Sequence, residues 1–201
     1  GSGGYGGVYG TAGGGALWLE VAGKLTVNGE ISASAAGGFE WYTGSGGSVF
    51  CRAGALEGNG AIRANGGPVT KSGGGGGGRI ALVVTGAAAD FDDWHGTVEA
   101  LGSSVGNVSS PGTIYLERPG DRPCEGELVV VGSGTAQSDH RFGTEIGGLE
   151  PETNAFSRLT LLSSAVRLVV NSGSLLDLSQ CQIDGTALGV NEIAVREGAT
   201  V

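Results

Sequence analysis

The sequence lacks methionine altogether, and none of its apolar runs is long enough to span a membrane as a helix. It contains no secretory signal and no lipidation motif. Since the chain also begins with Gly1, we expect it to be a processed or excised part of a longer polypeptide. These absences predict a protein that does not insert into a membrane.

Positive charge is also scarce. The 201 residues include 11 Lys and Arg against 20 Asp and Glu, the net charge is −9, and the basic residues form no cluster. A negative surface repels phosphate backbones, so nucleic acid is not an expected partner. The opening "GSGGYG" follows no strand and precedes no helical pattern, and Thr70 stands where a phosphate-binding loop needs glycine before its lysine.

Cysteine and histidine are too few and too scattered for the common catalytic and metal motifs. Cys51, Cys124 and Cys181 form no CxxC pair. Cys124 and Cys181 could form a disulfide bond, and the sequence leaves this open. The two histidines, His95 and His140, belong to no recognisable Ser-His-Asp arrangement, and no GxSxG elbow is present.

Glycine, by contrast, is abundant, with 43 residues where average usage would give roughly 14. A helical repeat is excluded, because each internal glycine costs a helix about 1 kcal/mol relative to alanine. Disorder is not expected either, because 39% of the residues are hydrophobic and they fall in short alternating blocks. The composition predicts ordered strands separated by glycine turns.

Two sequence blocks recur in the same order along the first half of the chain. The blocks GALWLEV, GSVFCRA, GRIALVV and GTIYLER begin at Gly15, Gly47, Gly78 and Gly112, which are 32, 31 and 34 residues apart. A second block, seen as GEISA, GAIRA and GTVEA, follows three of them at intervals of 31 and 36 residues. The chain therefore contains a repeat of about 31 to 36 residues.

Alternation with a period of two places every second side chain of a block on one face. If equivalent strands pair in register, the inward side chains stack in columns. The predicted columns are Leu17, Val49, Ile80 and Ile114; Leu19, Cys51, Leu82 and Leu116; Ile31, Ile62 and Val98; and Ala33, Ala64 and Ala100. This pattern predicts an all-β fold, a right-handed parallel β-helix (a β-solenoid) with glycine-rich loops between its coils.

The glycine runs have a structural explanation in such a fold. Glycine permits close approach of two backbones, so we expect these segments to pack as ordered structure against neighbouring coils, with mobile loops as the alternative. Beyond Glu125 the alternation persists but most glycine disappears. We interpret residues 1–124 as glycine-rich repeats and residues 125–201 as the same solenoid with shorter turns, in one elongated domain. The polar segment from Ala136 to Phe156 is the expected long excursion.

The stretch "GGGGGGRIALVV", followed by "GTVEALG" and "GTIYLE", resembles the glycine-rich β-helical repeats of very large secreted or surface proteins. The resemblance covers residues 13–117 well and the remainder only generically. It implies an extracellular, parallel β-helical element without catalytic residues. One glycosylation sequon, at Asn107, is consistent with a secretory route.

The best candidate for chemistry is "ADFDDWHG". Asp90, Asp92 and Asp93 could bind Ca²⁺, and Trp94 could stack on a sugar, as in a calcium-dependent polysaccharide-binding or lyase-type β-helix. The alternative is a solvated turn in which Phe91 or Trp94 covers the core.

The outward positions of the repeated strands carry aromatic residues. With Leu17 and Leu19 inside, Trp18, Phe50 and Tyr115 point outward, and Ala81 interrupts this row. Exposed aromatics commonly mark a contact surface, so these three are candidate interface residues. The alternative is that a glycine-rich segment folds over the rings and covers them. Outward charges should pair across coils, Glu20 with Arg52 and Arg63 with Glu99.

These observations favour a non-enzymatic structural module that is extracellular or on a cell surface. Uncapped solenoid ends expose strand edges that can accept another unit, so we expect a homo-oligomer or filament, with other surface or matrix proteins or glycans as further partners. No cofactor is expected apart from the candidate Ca²⁺.

Overall fold

The computed structural model describes residues 10–37, 42–69, 73–104, 109–132, 143–147, 152–162, 166–185 and 192–201. These residues are all-β, with fifteen strands in four sheets and no helix. None of the described segments is therefore a helix that could cross a membrane. The strands are β1 (Ala16–Thr26), β2 (Glu30–Ser32), β3 (Ser48–Glu57), β4 (Ala61–Arg63), β5 (Arg79–Val84), β6 (Thr97–Glu99), β7 (Thr113–Glu117), β8 (Glu127–Val131), β9 (Thr144–Ile146), β10 (Thr153–Ala155), β11 (Arg158–Leu162), β12 (Arg167–Val170), β13 (Leu175–Asp177), β14 (Gln182–Gly185) and β15 (Glu192–Val195).

Equivalent strands of the glycine-rich repeats pair side by side. Strands β1, β3, β5 and β7 are parallel neighbours in a seven-stranded sheet, and β2, β4 and β6 form a parallel three-stranded sheet. The register places Leu17 opposite Val49, Val49 opposite Ile80, and Ile80 opposite Ile114. The predicted side-chain columns are thus confirmed, because each block begins with a glycine at the same position relative to its inward-pointing residues.

The inward columns of both sheets meet in one apolar cluster, here called the first core. Its central members are almost completely buried, with Val49, Ile62 and Ile80 at 2%, 0% and 1% exposure. The full set of buried members is Val27, Ala33, Val49, Cys51, Leu56, Ile62, Ala64, Ile80, Leu82, Val84, Ala100, Ile114 and Val129. Burial of the Cys51 thiol raises its pKa, so this cysteine is a small apolar core residue.

The glycine-rich segments of successive repeats also lie side by side. Parallel bridges link Gly10 to Tyr42 and Tyr42 to Gly73. The Gly46 amide donates to the Gly76 carbonyl at 2.9 Å, and the Gly77 amide donates to the Ser110 carbonyl at 3.0 Å. The six-glycine run is therefore ordered structure stacked on its neighbours, as predicted.

The stack changes direction between β7 and β8, where the sequence predicted simple continuation. These two strands pair antiparallel, with Ile114 opposite Val129 and Leu116 opposite Glu127. The connection from 118 to 126 is a compact turn in which the Arg118 amide donates to the Asp121 side chain at 2.8 Å. A connection this short cannot return the chain for a parallel pair, so it forms a hairpin instead.

Beyond the hairpin, the seven-stranded sheet continues and two further parallel sheets are added. Strands β8, β11 and β14 extend the seven-stranded sheet, β9, β12 and β15 form a second sheet, and β10 and β13 form a third. The segment predicted as a long excursion contains β9 and β10 among its described residues, so it is not a simple loop. Its strands have three residues each and are mostly polar, so they show no alternation of apolar residues by which the sequence could have predicted them.

The two halves bury opposite faces of the seven-stranded sheet. Val129 belongs to the first core, whereas its chain neighbours Leu128 and Val130 belong to a second one. Successive side chains of a strand point to opposite faces, so the second core lies on the face that points outward in the first half. The buried members of the second core are Leu128, Val130, Ile146, Leu159, Leu161, Val166 and Leu168.

Candidate functional site

The predicted aromatic surface is partly assembled in the structure. On the sheet face opposite the first core, hereafter the outer face, Trp18 stands opposite Phe50 in the β1–β3 register. Their rings stack with centroids 4.1 Å apart and planes inclined by 24°. Trp18 is 67% exposed, the largest exposure of any large apolar side chain in the described residues. The pair therefore presents aromatic surface to solvent.

Tyr115 lies apart from this pair, since Ala81 occupies the intervening outward position in the register. Its hydroxyl donates to Glu117 Oε2 at 2.6 Å and accepts from the Gly126 amide at 2.9 Å. Burial and the bond to Glu117 both raise the pKa of Tyr115. Tyr115 is opposite Leu128 in the β7–β8 pair, so it belongs to the hairpin and not to the exposed aromatic pair.

Two arginines flank the aromatic pair. Arg52 follows Phe50 by two residues on β3, and Arg79 lies opposite Ser48, two residues before Phe50. Both are exposed. Neither guanidinium makes an ion pair or a side-chain hydrogen bond with another described residue. By contrast, carboxylates pair with Lys24, Arg63, Arg118, Arg122, Arg158 and Arg196.

The predicted cross-coil charge pairs have different outcomes. Arg63 Nε contacts Glu99 Oε2 at 2.8 Å and Arg63 Nη1 contacts Glu30 Oε1 at 3.3 Å, so one arginine bridges three successive strands. Glu20 is opposite Arg52 in the register but does not pair with it. The sequence correctly predicted that Glu20 and Arg52 lie opposite each other. It did not predict that Arg52 forms no ion pair with a described residue.

The segment with Asp90, Asp92 and Asp93 forms a solvated turn, which was the alternative to a calcium site. Asp90 Oδ1 accepts from the Asp92 amide at 3.0 Å, which closes the turn locally. Phe91 and Trp94 pack against the first core, and the three carboxylates, Asp93 included, are on exposed residues. Among the described residues, no three His, Cys, Asp or Glu side chains are arranged to hold a metal ion, so the calcium hypothesis gains no support here.

The remaining candidates are placed as follows. Cys124 and Cys181 are free thiols, exposed and half-buried respectively, so the structure does not contain the disulfide considered from the sequence. Burial raises the pKa of Cys181, which packs against the second core. Asn107 and His140 lie outside the described residues.

A shallow cleft of about 300 Å³ lies beside Ser48 and Arg79. It is lined by glycine backbone from three successive repeats, and Arg79 and Glu145 contribute to its walls. Glu145 is paired with Arg196, whereas Arg79 has no ion-pair partner among the residues that the structure describes. Arg79 therefore lines the cleft and lies opposite Ser48, two residues before Phe50.

Comparison with known proteins adds no assignment: no protein-family model, no curated protein and no solved structure matches this chain.

Proposed function

We propose that this chain is a non-enzymatic structural module of an extracellular or cell-surface protein, built as a right-handed parallel β-helix that assembles end to end. The repeat supports the β-helix, because its strands pair parallel and in register in two sheets and parallel bridges join its glycine-rich segments. Parallel connections are right-handed in about 98% of cases, which supports the hand. The resemblance to glycine-rich surface repeats supports the location.

The exposure of the terminal strands is the observation that carries the proposal. Leu17 and Leu19 on β1 are half-buried, whereas their stacked partners Val49 and Cys51 are 2% and 3% exposed. β1 forms one edge of the seven-stranded sheet and β14 forms the other. A strand edge with an apolar column behind it is the surface that accepts another strand.

The opposite end shows the same feature more strongly. Ile183 on β14 is 54% exposed although its partner Leu159 is completely buried, and Val195 on β15 is 49% exposed beside a completely buried Val170. Both columns are interrupted at the last described strand. A second copy placed against this edge would bury these side chains and pair the free backbone groups.

Sedimentation velocity over a concentration series, with negative-stain electron microscopy, tests the assembly. We expect the wild-type chain to associate into rods longer than one molecule. Ile183→Lys should weaken association at least roughly tenfold, because it would bury an unpaired charge at the junction. Ala88→Lys, on an exposed turn, adds the same charge elsewhere and should leave association unchanged. A wild-type chain that stays monomeric at every concentration would contradict the proposal.

A further inference from the structure

We propose that the outer face around Trp18 and Phe50 is a binding platform for a linear acidic polysaccharide, with Arg52 and Arg79 as its anion-binding residues. The arginines lie on the inner strands β3 and β5, whereas Trp18 lies on the edge strand β1, so the test below measures glycan binding and self-association of the same variants separately.

The electrostatics of the platform differ from those of the rest of the protein. The chain carries a net charge of −9, yet two exposed arginines flank a single aromatic pair. Six other described basic side chains form ion pairs with carboxylates, whereas these two guanidinium groups have no carboxylate partner in the part of the chain that the structure describes. An unpaired guanidinium has its planar set of donors free for a carboxylate or sulfate.

The spacing of the arginines favours a polymer over a small anion. Arg79 is level with Ser48, and Arg52 is four residues further along the strand direction. Four residues of a strand span about 13 Å, so the two positive charges bracket the aromatic pair from opposite sides. A linear ligand with anionic groups at intervals and apolar surface between them matches this order.

The aromatic pair favours a sugar polymer over an acidic peptide. The face of an aromatic ring is electronegative and attracts the C–H groups of a sugar ring, and the stacked Trp18 and Phe50 rings form a rigid apolar ridge. Saccharide rings are rigid, whereas a peptide would lose backbone and side-chain entropy on lying along the same path. An acidic polysaccharide can therefore stack on the aromatic ridge and bind both arginines while losing less conformational entropy than a peptide would.

Isothermal titration calorimetry of the full chain with polygalacturonate, heparin and neutral dextran tests the platform. We expect the polyuronate or the sulfated glycan to bind, the stronger of the two revealing the preferred anion, and dextran not to bind. Trp18→Ala and the double variant Arg52→Ala with Arg79→Ala should each weaken binding roughly tenfold or more, because charge-assisted contacts and ring stacking are lost. Glu20→Gln should strengthen binding, since it removes a repulsive charge beside Arg52.

Arg122→Ala is the matched control, because it removes the same charge from a side chain that is 78% exposed on another part of the surface. It should leave glycan binding unchanged. Equal weakening by Arg122→Ala, absence of binding to both acidic glycans, or tighter binding to a single-stranded oligonucleotide would each overturn the proposal. A change in sedimentation of the platform variants without any change in glycan titration would also overturn it, by making this face a contact between copies.

Discussion

At the residue scale, three glycines occupy equivalent positions where two backbones touch. A Cβ atom built on Gly14, Gly46 or Gly77 would lie 1.8, 2.0 and 2.0 Å from the carbonyl oxygen of Ala33, Ala64 and Ala100, respectively. These contacts join the glycine-rich side of each repeat to the end of its second sheet. The neighbouring atoms are backbone, so they cannot move aside as a flexible side chain could.

Gly46→Ala should therefore destabilise the protein by about 1–3 kcal/mol or more, the usual cost of overpacking. Gly15→Ala is the matched control, because no atom lies within 4 Å of its built Cβ. That variant should be neutral or slightly stabilising, since alanine restricts the unfolded chain. Urea denaturation of both variants gives the comparison, and equal midpoints would show that the glycine contact does not determine stability.

Glu99 is a partly buried acidic residue whose ionisation should couple to folding. Burial opposes its charged form, but the hydrogen bonds from Arg63 and Asn65 outweigh burial and lower the pKa of Glu99 below the ordinary value for a glutamate. A lowered carboxyl pKa contributes stability that is present above the unfolded pKa and is lost as the pH falls through the folded pKa. Asn65 Nδ2 lies 3.1 Å from Glu99 Oε2.

Glu99→Gln should accordingly reduce the melting temperature at pH 7 and reduce it much less at pH 3. Glu20→Gln is the control, because Glu20 has no ion pair among the described side chains, and its effect should be small at both values. Thermal unfolding followed by circular dichroism at the two pH values measures the difference. An effect of Glu99→Gln that is equal at pH 7 and pH 3 would rule out this linkage.

At the element scale, buried threonines connect successive repeats. Thr43 is 5% exposed, and its hydroxyl donates to the Gly67 carbonyl and accepts from the Gly75 amide at 3.0 Å. Thr11, in the preceding repeat, makes the equivalent bonds to Ala36 and Gly44. In the third repeat glycine replaces threonine, and Ser103 fills the space next to Gly74.

Thr43→Val should destabilise the protein by about 1–3 kcal/mol, because the near-isosteric valine leaves a buried carbonyl and a buried amide with weaker pairing. Thr97→Val is the control, since Thr97 is exposed on β6. Chemical denaturation measures both changes. If Thr43→Val and Thr97→Val have the same midpoint, the threonine ladder contributes nothing measurable to stacking.

The register of the repeats could be predicted from the sequence, but the hairpin and the unpaired arginines could not. Glycine spacing and alternation fix which residues stack, and Leu17 with Val49 shows this. The reversal at β8 had a signal that alternation did not capture: Leu128, Val129 and Val130 are consecutive and apolar, as in a strand buried on both faces. Pairing of Arg52 depends on side-chain reach, which register alone does not determine.

At the scale of the whole molecule, β8 is a structural link between the two cores. Val129 packs into the first core, and Leu128 and Val130 pack into the second. Elsewhere each repeat contacts chiefly its neighbours, so stability should be a sum of local terms and should not be lost in one step. Leu162 on the neighbouring strand β11 also packs against the first core, whereas Leu161 belongs to the second. Damage to one core should therefore reach the other chiefly through β8 and β11.

Leu82→Ala and Leu168→Ala are matched tests of this idea, since the leucines are 1% and 0% exposed in the first and second core, respectively. Each should lose about 2–5 kcal/mol of local stability. Followed by hydrogen exchange, Leu82→Ala should accelerate exchange in β3, β5 and β7, and Leu168→Ala in β9, β11 and β12. The amides of β8 should exchange faster in both variants, because its side chains contribute to both cores. Uniform acceleration along the whole chain in either variant would instead mean that the two cores unfold as one cooperative unit.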